Sequence, residues 1–174
     1  MKLNLGCGRD IRAGYVNLDS RKLKGVDVVH DLEKVPYPFK DGSFDEIVAS
    51  HVLEHMADLA KVMQELCRIS KKGGRIHAIV PYFSNPGSFG DPTHKRFFTY
   101  ETFDYFTENS ALSYYSKVRV KIVNKRIHLF GRSSAGKLLG FLPNIIINLV
   151  PRFYQRFFAY VLPASELEVV LEVV

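Results

Sequence analysis

Leu3-Asn4-Leu5-Gly6-Cys7-Gly8 opens the chain with an apolar run that passes directly into two glycines separated by one small residue. Glycine has no Cβ and adopts positive φ freely, so a backbone carrying Gly6 and Gly8 can turn sharply and present bare N–H groups to a ligand. Eleven residues past Gly8, a second apolar run, Tyr15-Val16-Asn17-Leu18, ends on Asp19. A carboxylate there can accept hydrogen bonds from both hydroxyls of a ribose. A strand, a glycine bend, a second strand and an acid begin a sheet suited to an adenosine-containing cofactor. A dinucleotide fingerprint would need a third glycine where Ile11 stands, and no Gly-Lys-Ser/Thr follows as in a phosphate loop.

Further blocks follow in order. Val28-Val29-His30-Asp31-Leu32 reads as a third strand end. Pro38 to Asp45 leads into a fourth strand, Glu46 to Ser50, followed by His51-Val52-Leu53-Glu54-His55. Leu59, Val62, Met63, Leu66 and Ile69, spaced by three and four, predict a helix. It should close on Lys71-Lys72-Gly73-Gly74, basic residues before a glycine stop, with Arg75 to Val80 as a fifth strand. Over Met1 to Tyr105 this ordered set resembles the class I S-adenosylmethionine-dependent methyltransferases.

The resemblance implies an α/β, Rossmann-like fold: a mostly parallel seven-stranded sheet with an antiparallel last strand. It implies S-adenosylmethionine as cofactor. The polar Asn4 would stand before the bend, Gly6, Cys7 and Gly8 would line the methionine part, and Asp19 would hold the ribose. Asp31 and the Leu32 backbone would face the adenine, while Ser50 and His51 would close the site from the fourth strand. The plainer reading of Asp31 is a solvated cap on a strand end, and of Cys7 a small side chain that fits between two glycines.

Two features depart from the family pattern. Only six residues separate Gly8 from Tyr15, and six separate Asp19 from Val26, whereas a helical crossover between parallel strands takes about a dozen or more. These early crossovers should therefore be loops or single turns. The first strand also begins at the first residues, so the expectation is that another segment serves as lid.

At 174 residues, 47% of them hydrophobic, the chain can bury one core as a single domain, with residues 1–108 as the cofactor-binding half. Cys7 and Cys67 show neither metal spacing nor a disulfide framework, no metal ligand set is expected, and the absence of a leader-like stretch points to the cytoplasm.

The charge is uneven. Asn109 to Ser165 contains no Asp or Glu but nine basic residues, whereas the remainder has 15 basic and 18 acidic residues, a balance of −3. Such asymmetry points to an anionic partner. Lys117 to Phe130 and Glu166 to Val174 read as strands six and seven, joined by an apolar, basic helical insert over residues 131–165. Its longest uncharged run, Leu138 to Pro151, has 14 residues and two prolines, short of the roughly 20 needed to cross a bilayer. The insert can be a lid over the sheet, a peripheral contact with an anionic membrane surface, or a homodimer contact through residues 138–162.

Acceptor chemistry should come from loops at the carboxyl ends of the strands. Asp91-Pro92-Thr93-His94, followed by Arg96 and Phe98-Thr99, resembles a signature of a subgroup of small methyltransferases. The sulfonium is already a good electrophile, so the protein need only position an acceptor in line and, for a hydroxyl, remove its proton. His94 and His55 are the candidate bases, since a neutral imidazole suits that role near pH 7, with Asp91 as orienting partner. The bland reading is that Asp91 and His94 only make local loop hydrogen bonds. An Asp/Asn-Pro-Pro-aromatic run, typical of methylation at base amino groups, does not follow the fourth strand, which continues Ser50-His51-Val52-Leu53. Nucleic acid is therefore not the expected partner, and a hydroxyl or carboxyl on a small-molecule, glycan or lipid-linked acceptor is. Two other classes fit parts of the sequence: a methyltransferase-fold domain that binds without turnover, and a zinc hydrolase, because His51-Val52-Leu53-Glu54-His55 matches the H-x-x-E-H helix motif.

Overall fold

The computed structural model describes residues 1–111, 118–131 and 134–174, and only the backbone of Ala135 and Lys137. Lys117, the first residue of the expected sixth strand, and Arg132 lie outside the described residues. Seven strands form one sheet: β1 (Lys2–Leu5), β2 (Val16–Asp19), β3 (Val28–Val29), β4 (Phe44–Ser50), β5 (Ser70–Pro81), β6 (Val120–His128) and β7 (Glu166–Val173), in the order β3-β2-β1-β4-β5-β7-β6. β1 to β5 pair in parallel, while β7 runs antiparallel between β5 and β6. This is the expected architecture.

Helix α1 (Leu59–Ile69) buries Leu59, Val62, Met63, Leu66 and Ile69, the stripe anticipated from their spacing. Asp58 caps it, accepting the Lys61 N–H at 2.9 Å. Its far end differs from expectation. Ser70 Oγ donates to Leu66 O at 2.7 Å and the Ser70 backbone is already extended, so the helix stops at Ile69 and β5 begins at once. Pairing then slips from Phe44↔Ser70 to Glu46↔Arg75. The Gly73-Gly74 pair, expected as a helix stop, instead lies in this bulge, with Gly73 at φ 76°.

The two early crossovers carry no helix. A helix would have satisfied its own backbone; here two asparagines do so. Asn4 and Asn17 are 1% and 4% exposed. Asn4 Nδ2 donates to Asp10 O at 2.6 Å and to Asn17 Oδ1 at 3.0 Å. Asn17 Oδ1 also accepts the Arg12 N–H, and its Nδ2 donates to Arg12 O and Tyr15 O. Asp27 closes the second crossover by accepting the Asn17 N–H at 2.7 Å. Buried polar groups are stable only when paired, and here they are paired to the loops they hold.

The insert forms α3 (Ser134–Leu149) and α4 (Pro151–Phe157), after a short four-residue helix, α2 (Gly87–Gly90), in the loop beyond β5. Pro143 lies inside α3, and Pro151 occupies the first turn of α4, where a missing N–H is harmless. α3 lies along β6, at the opposite edge of the sheet from β1 and β2.

Candidate active site

Gly6 and Gly8 adopt φ of 61° and 51° as the chain leaves β1. A Cβ on Gly6 would lie 2.3 Å from Val52 Cγ2, whereas one on Gly8 would meet nothing within 4 Å. The first glycine is therefore required by close packing as well as by conformation. Gly8 N–H donates to Asp19 Oδ2 at 2.8 Å, and Arg21 N–H donates to Asp19 Oδ1 at 2.9 Å. These bonds fix the orientation of the Asp19 carboxylate and leave each oxygen a further lone pair.

A cleft of about 270 Å³ opens here, lined by Gly6, Asp19, Ser20, Asp31, Leu32, His51, Val52, His55 and Met56. It unites six of the residues singled out from sequence: Gly6, Asp19, Asp31, Leu32, His51 and His55. Six others do not line it: Asp91 and His94 stand beside it, and Asn4, Cys7, Gly8 and Ser50 behind or away from it. Asn4 is committed to the loop behind, and the buried Cys7 directs its N–H to Leu18 O at 2.9 Å. Burial, with the Asp19 charge nearby, raises the Cys7 thiol pKa. Gly8 serves Asp19, and Ser50 ends β4 in register with Ile79. A larger hollow of about 1110 Å³ lies between β6 and the start of α4, lined by Tyr100, Asp104, Lys125 and Arg152 among others and remote from the glycine bend. The small cleft is where the chemistry-bearing groups converge. Among the described residues of the insert none lines it, and α3 lies along β6.

His51 is the chain's non-glycine residue with positive φ, 51°, among those described. Its Nε2 lies 3.2 Å from Glu166 Oε1 and its Nδ1 3.5 Å from Glu54 Oε1. Hydrogen bonds to Glu166 and Glu54 push its pKa up to about 9, so near neutral pH it is an imidazolium between two carboxylates. Glu54 is 1% exposed, and its Oε2 has no hydrogen-bond partner among the described residues.

Beside the cleft, Asp91, Thr93, His94 and His55 form one network. Thr93 Oγ1 donates to Asp91 Oδ1 at 2.6 Å and lies 3.0 Å from His55 Nδ1. Thr93 O, which can only accept, is 3.4 Å from the same nitrogen. The proton therefore belongs on His55 Nδ1, and Nε2 carries the lone pair. Bonds from the Thr93 hydroxyl and N–H hold the Asp91 carboxyl below its ordinary pKa. His94 packs edge-on against His55, ring centres 4.8 Å apart. Its Nδ1 faces Ser88 O at 3.0 Å, and its Nε2 is 3.7 Å from Asp91 and 4.0 Å from Glu54. Thr93 and Glu166, and Glu54 outside the zinc reading, are site residues that the sequence does not single out. Thr93 lies inside the Asp91-to-His94 signature, but Glu166 is 115 positions from His51 and carries no local signal.

The H-x-x-E-H zinc helix is not formed. His51 sits at a left-handed turn after β4, His55 ends a 3-10 turn over Leu53–His55, and α1 starts only at Leu59. Glu54, His55 and His94 do offer three ligand atoms within 4.8 Å of one another. The 4.0 Å between Glu54 and His94 is wider than the roughly 3.4 Å set by tetrahedral zinc bonds of about 2.0–2.1 Å.

With this geometry in place, comparison with known proteins is informative. Residues 3–78 match the family model described as "Methyltransferase domain". The ubiquinone/menaquinone biosynthesis C-methyltransferase UbiE of Francisella philomiragia is 34% identical over 82 residues, 44% of this chain and 32% of that protein. The match thus spans about a third of the length of the curated relative. Among solved structures, the YcgJ protein of Bacillus subtilis superposes with a TM-score of 0.60 at 16% identity, covering 99% of this chain and 90% of that one. A SAM-dependent methyltransferase from Archaeoglobus fulgidus gives 0.58 at 17% identity, covering 98% and 85%. At these identities the structural likeness speaks to the fold. The cofactor of the family is S-adenosylmethionine, and the tight Gly6 bend and the fixed Asp19 carboxylate fit it. Residues 3–78 thus match the methyltransferase-domain model, and the chain as a whole has the fold of solved S-adenosylmethionine-dependent methyltransferases.

Proposed function

We propose that the chain transfers the methyl group of S-adenosylmethionine to an oxygen, a hydroxyl or carboxyl, of a small-molecule, glycan or lipid-linked acceptor. The observation that carries this reading is the juxtaposition of the glycine–acid cleft with the Asp91–Thr93–His55 chain of hydrogen bonds. Bound cofactor supplies an electrophilic methyl group. Gly6 lets the backbone approach it closely, Asp19 accepts its ribose hydroxyls, and Asp31 with the Leu32 backbone faces its adenine. His55 lines the same cleft with its Nε2 lone pair and takes the proton of a hydroxyl acceptor, whereas a carboxylate acceptor has none to give. Asp91 acts through Thr93 to fix the His55 tautomer, as an orienting group does for a general base. His94 packs on His55 and keeps the ring in place. The ionised Asp91 also favours the imidazolium that forms when the proton is taken.

The relative named as a C-methyltransferase matches only the cofactor half, so its acceptor does not transfer to this chain. Incubation with methyl-labelled S-adenosylmethionine and panels of phenols, sugars and polyprenyl-linked glycans tests the reading, with the product mapped by mass spectrometry. The expected product carries the label on oxygen, and His55→Gln lowers kcat by about 10²–10⁴. A methyl on carbon or nitrogen, or an unchanged kcat on a hydroxyl acceptor, contradicts it. Cofactor binding without turnover on any acceptor leaves the non-catalytic alternative standing.

A further inference from the structure

The insert is built inside out. Along α3, the residues turned to the sheet edge are polar or small. Leu129 N–H donates to Asn144 Oδ1 at 2.9 Å, Ile127 N–H donates to Asn148 Oδ1 at 2.8 Å, and Asn148 Nδ2 returns a bond to Ile127 O at 2.8 Å. These asparagines cap the open edge of β6, which otherwise would present unpaired backbone groups. Ile147 is the buried apolar residue between them. The opposite face is apolar and bare: Leu138, Leu142, Ile146 and Leu149, spaced by four, four and three, are 80%, 66%, 62% and 76% exposed. The stripe continues onto α4 at Phe153 and Phe157, both more than half exposed. A helix beside water turns its apolar stripe to the protein; this one turns it outward. Contiguous apolar patches of this kind mark a contact with a partner or a membrane.

We propose that this face docks on the surface of an anionic lipid bilayer. The charge pattern selects that occupant. From Asn109 to Ser165 the sequence has nine cations and no carboxylate. Within that stretch Lys125 is buried against Asp104 and Arg152 meets Glu101 at 3.4 Å, so the cations of the face itself are Arg152 and Arg156 on α4; a second copy would set them against themselves across a two-fold axis, whereas acidic headgroups complement them. Arg152 and Arg156 flank the aromatic stripe: Arg152 is well exposed, and Arg156 lies 5.8 Å from the Phe157 ring centre. Basic side chains beside Leu and Phe are the composition of a helix lying in the interface plane. Among the described residues no helix is long and apolar enough to cross a membrane, so the contact is peripheral.

The insert also contacts the chain just beyond β5. Tyr160 packs edge-on against Phe83 just beyond β5, with ring centres 5.5 Å apart, and Tyr82 OH donates to Gln155 Oε1 at 3.0 Å. The insert runs directly into β7, whose first residue, Glu166, is the partner of His51. Docking would hold the carboxyl ends of the strands near the lipid, where a lipid-linked acceptor is presented; that consequence rests on the methyl-transfer reading, while the docking itself does not.

Co-sedimentation of the full chain with phosphatidylcholine vesicles, with and without phosphatidylglycerol, tests the proposal. Binding should be at least about tenfold stronger to the anionic vesicles and should weaken as salt rises. Leu142→Glu with Ile146→Glu, both on the bare face, should reduce it by about tenfold or more while cofactor affinity measured by calorimetry is unchanged. Equal partition into both vesicle types overturns the assignment to anionic lipid. Failure to bind either, by a chain that still binds cofactor, overturns the docking. So does a lipid-free dimer dissolved by the same two substitutions. Vesicle binding by a chain that binds no cofactor would sink the transferase reading and leave the docking intact.

Discussion

His51 combines three costs that a merely structural residue rarely carries together: a left-handed backbone, a charge, and a position at the rim of a cleft. Its backbone is anchored, since His51 N–H donates to Ile79 O at 2.8 Å, and its ring is held by Glu54 and Glu166 from two other segments. Because Glu166 and Glu54 raise its pKa from 6.5 to about 9, the folded state binds a proton that the unfolded chain releases. The stabilisation is complete below pH 6.5 and is lost as pH rises through 9. Thermal unfolding of the native chain should therefore lose ground to His51→Gln between those two values, with both variants bearing the same backbone strain. Parallel curves across that range would mean that the imidazolium contributes nothing. That Gly6 and Asp19 meet in one cleft was legible because a glycine bend and an acid at a strand end each have a local signature. Thr93 and Glu166 were not, because their roles depend on His55 and His51, which only the folded chain brings to them.

At the scale of elements, the order and type of the strands were readable from alternating apolar runs, and α1 from its three-and-four spacing. The shortened crossovers were also readable from residue counts. The means of holding them was not: Asn4 and Asn17 read as ordinary strand residues until the sheet places their amides over the loops. Asn17→Ala would strand the Arg12 N–H and the Tyr15 carbonyl, leave the Arg12 carbonyl only its bond from the Tyr15 N–H, and remove one bond of Asn4. Orphaned buried groups of this kind should cost about 2–3 kcal/mol in all. At roughly 2–4 °C per kcal/mol for a domain of this size, calorimetric unfolding should move down by about 5–10 °C; a shift within about 1 °C would show the network to be incidental. The end of α1 escaped the sequence for a different reason. Two glycines after two lysines look like a helix stop, but the Ser70 hydroxyl satisfies Leu66 O earlier and frees the glycines for the bulge in β5.

Across the whole molecule, acidic groups and histidines gather where β1, β2 and β4 end, while the apolar surface gathers on the insert at the other edge. The sequence reports that division as a charge asymmetry and an uncharged run, and it fixes neither the side of α3 that faces out nor the distance of the insert from the glycine bend. The two halves meet where β7 begins, at Glu166 against His51. Every proposed role in the cleft presupposes that the Gly6 bend and the Asp19 carboxylate hold an adenosyl group. Calorimetric titration with S-adenosylhomocysteine measures this most directly. The native chain should bind at one site, with Asp19→Ala weakening it by about tenfold or more through loss of the ribose bonds. A native chain that gives no binding heat, or an Asp19→Ala chain that binds as tightly, would contradict the account.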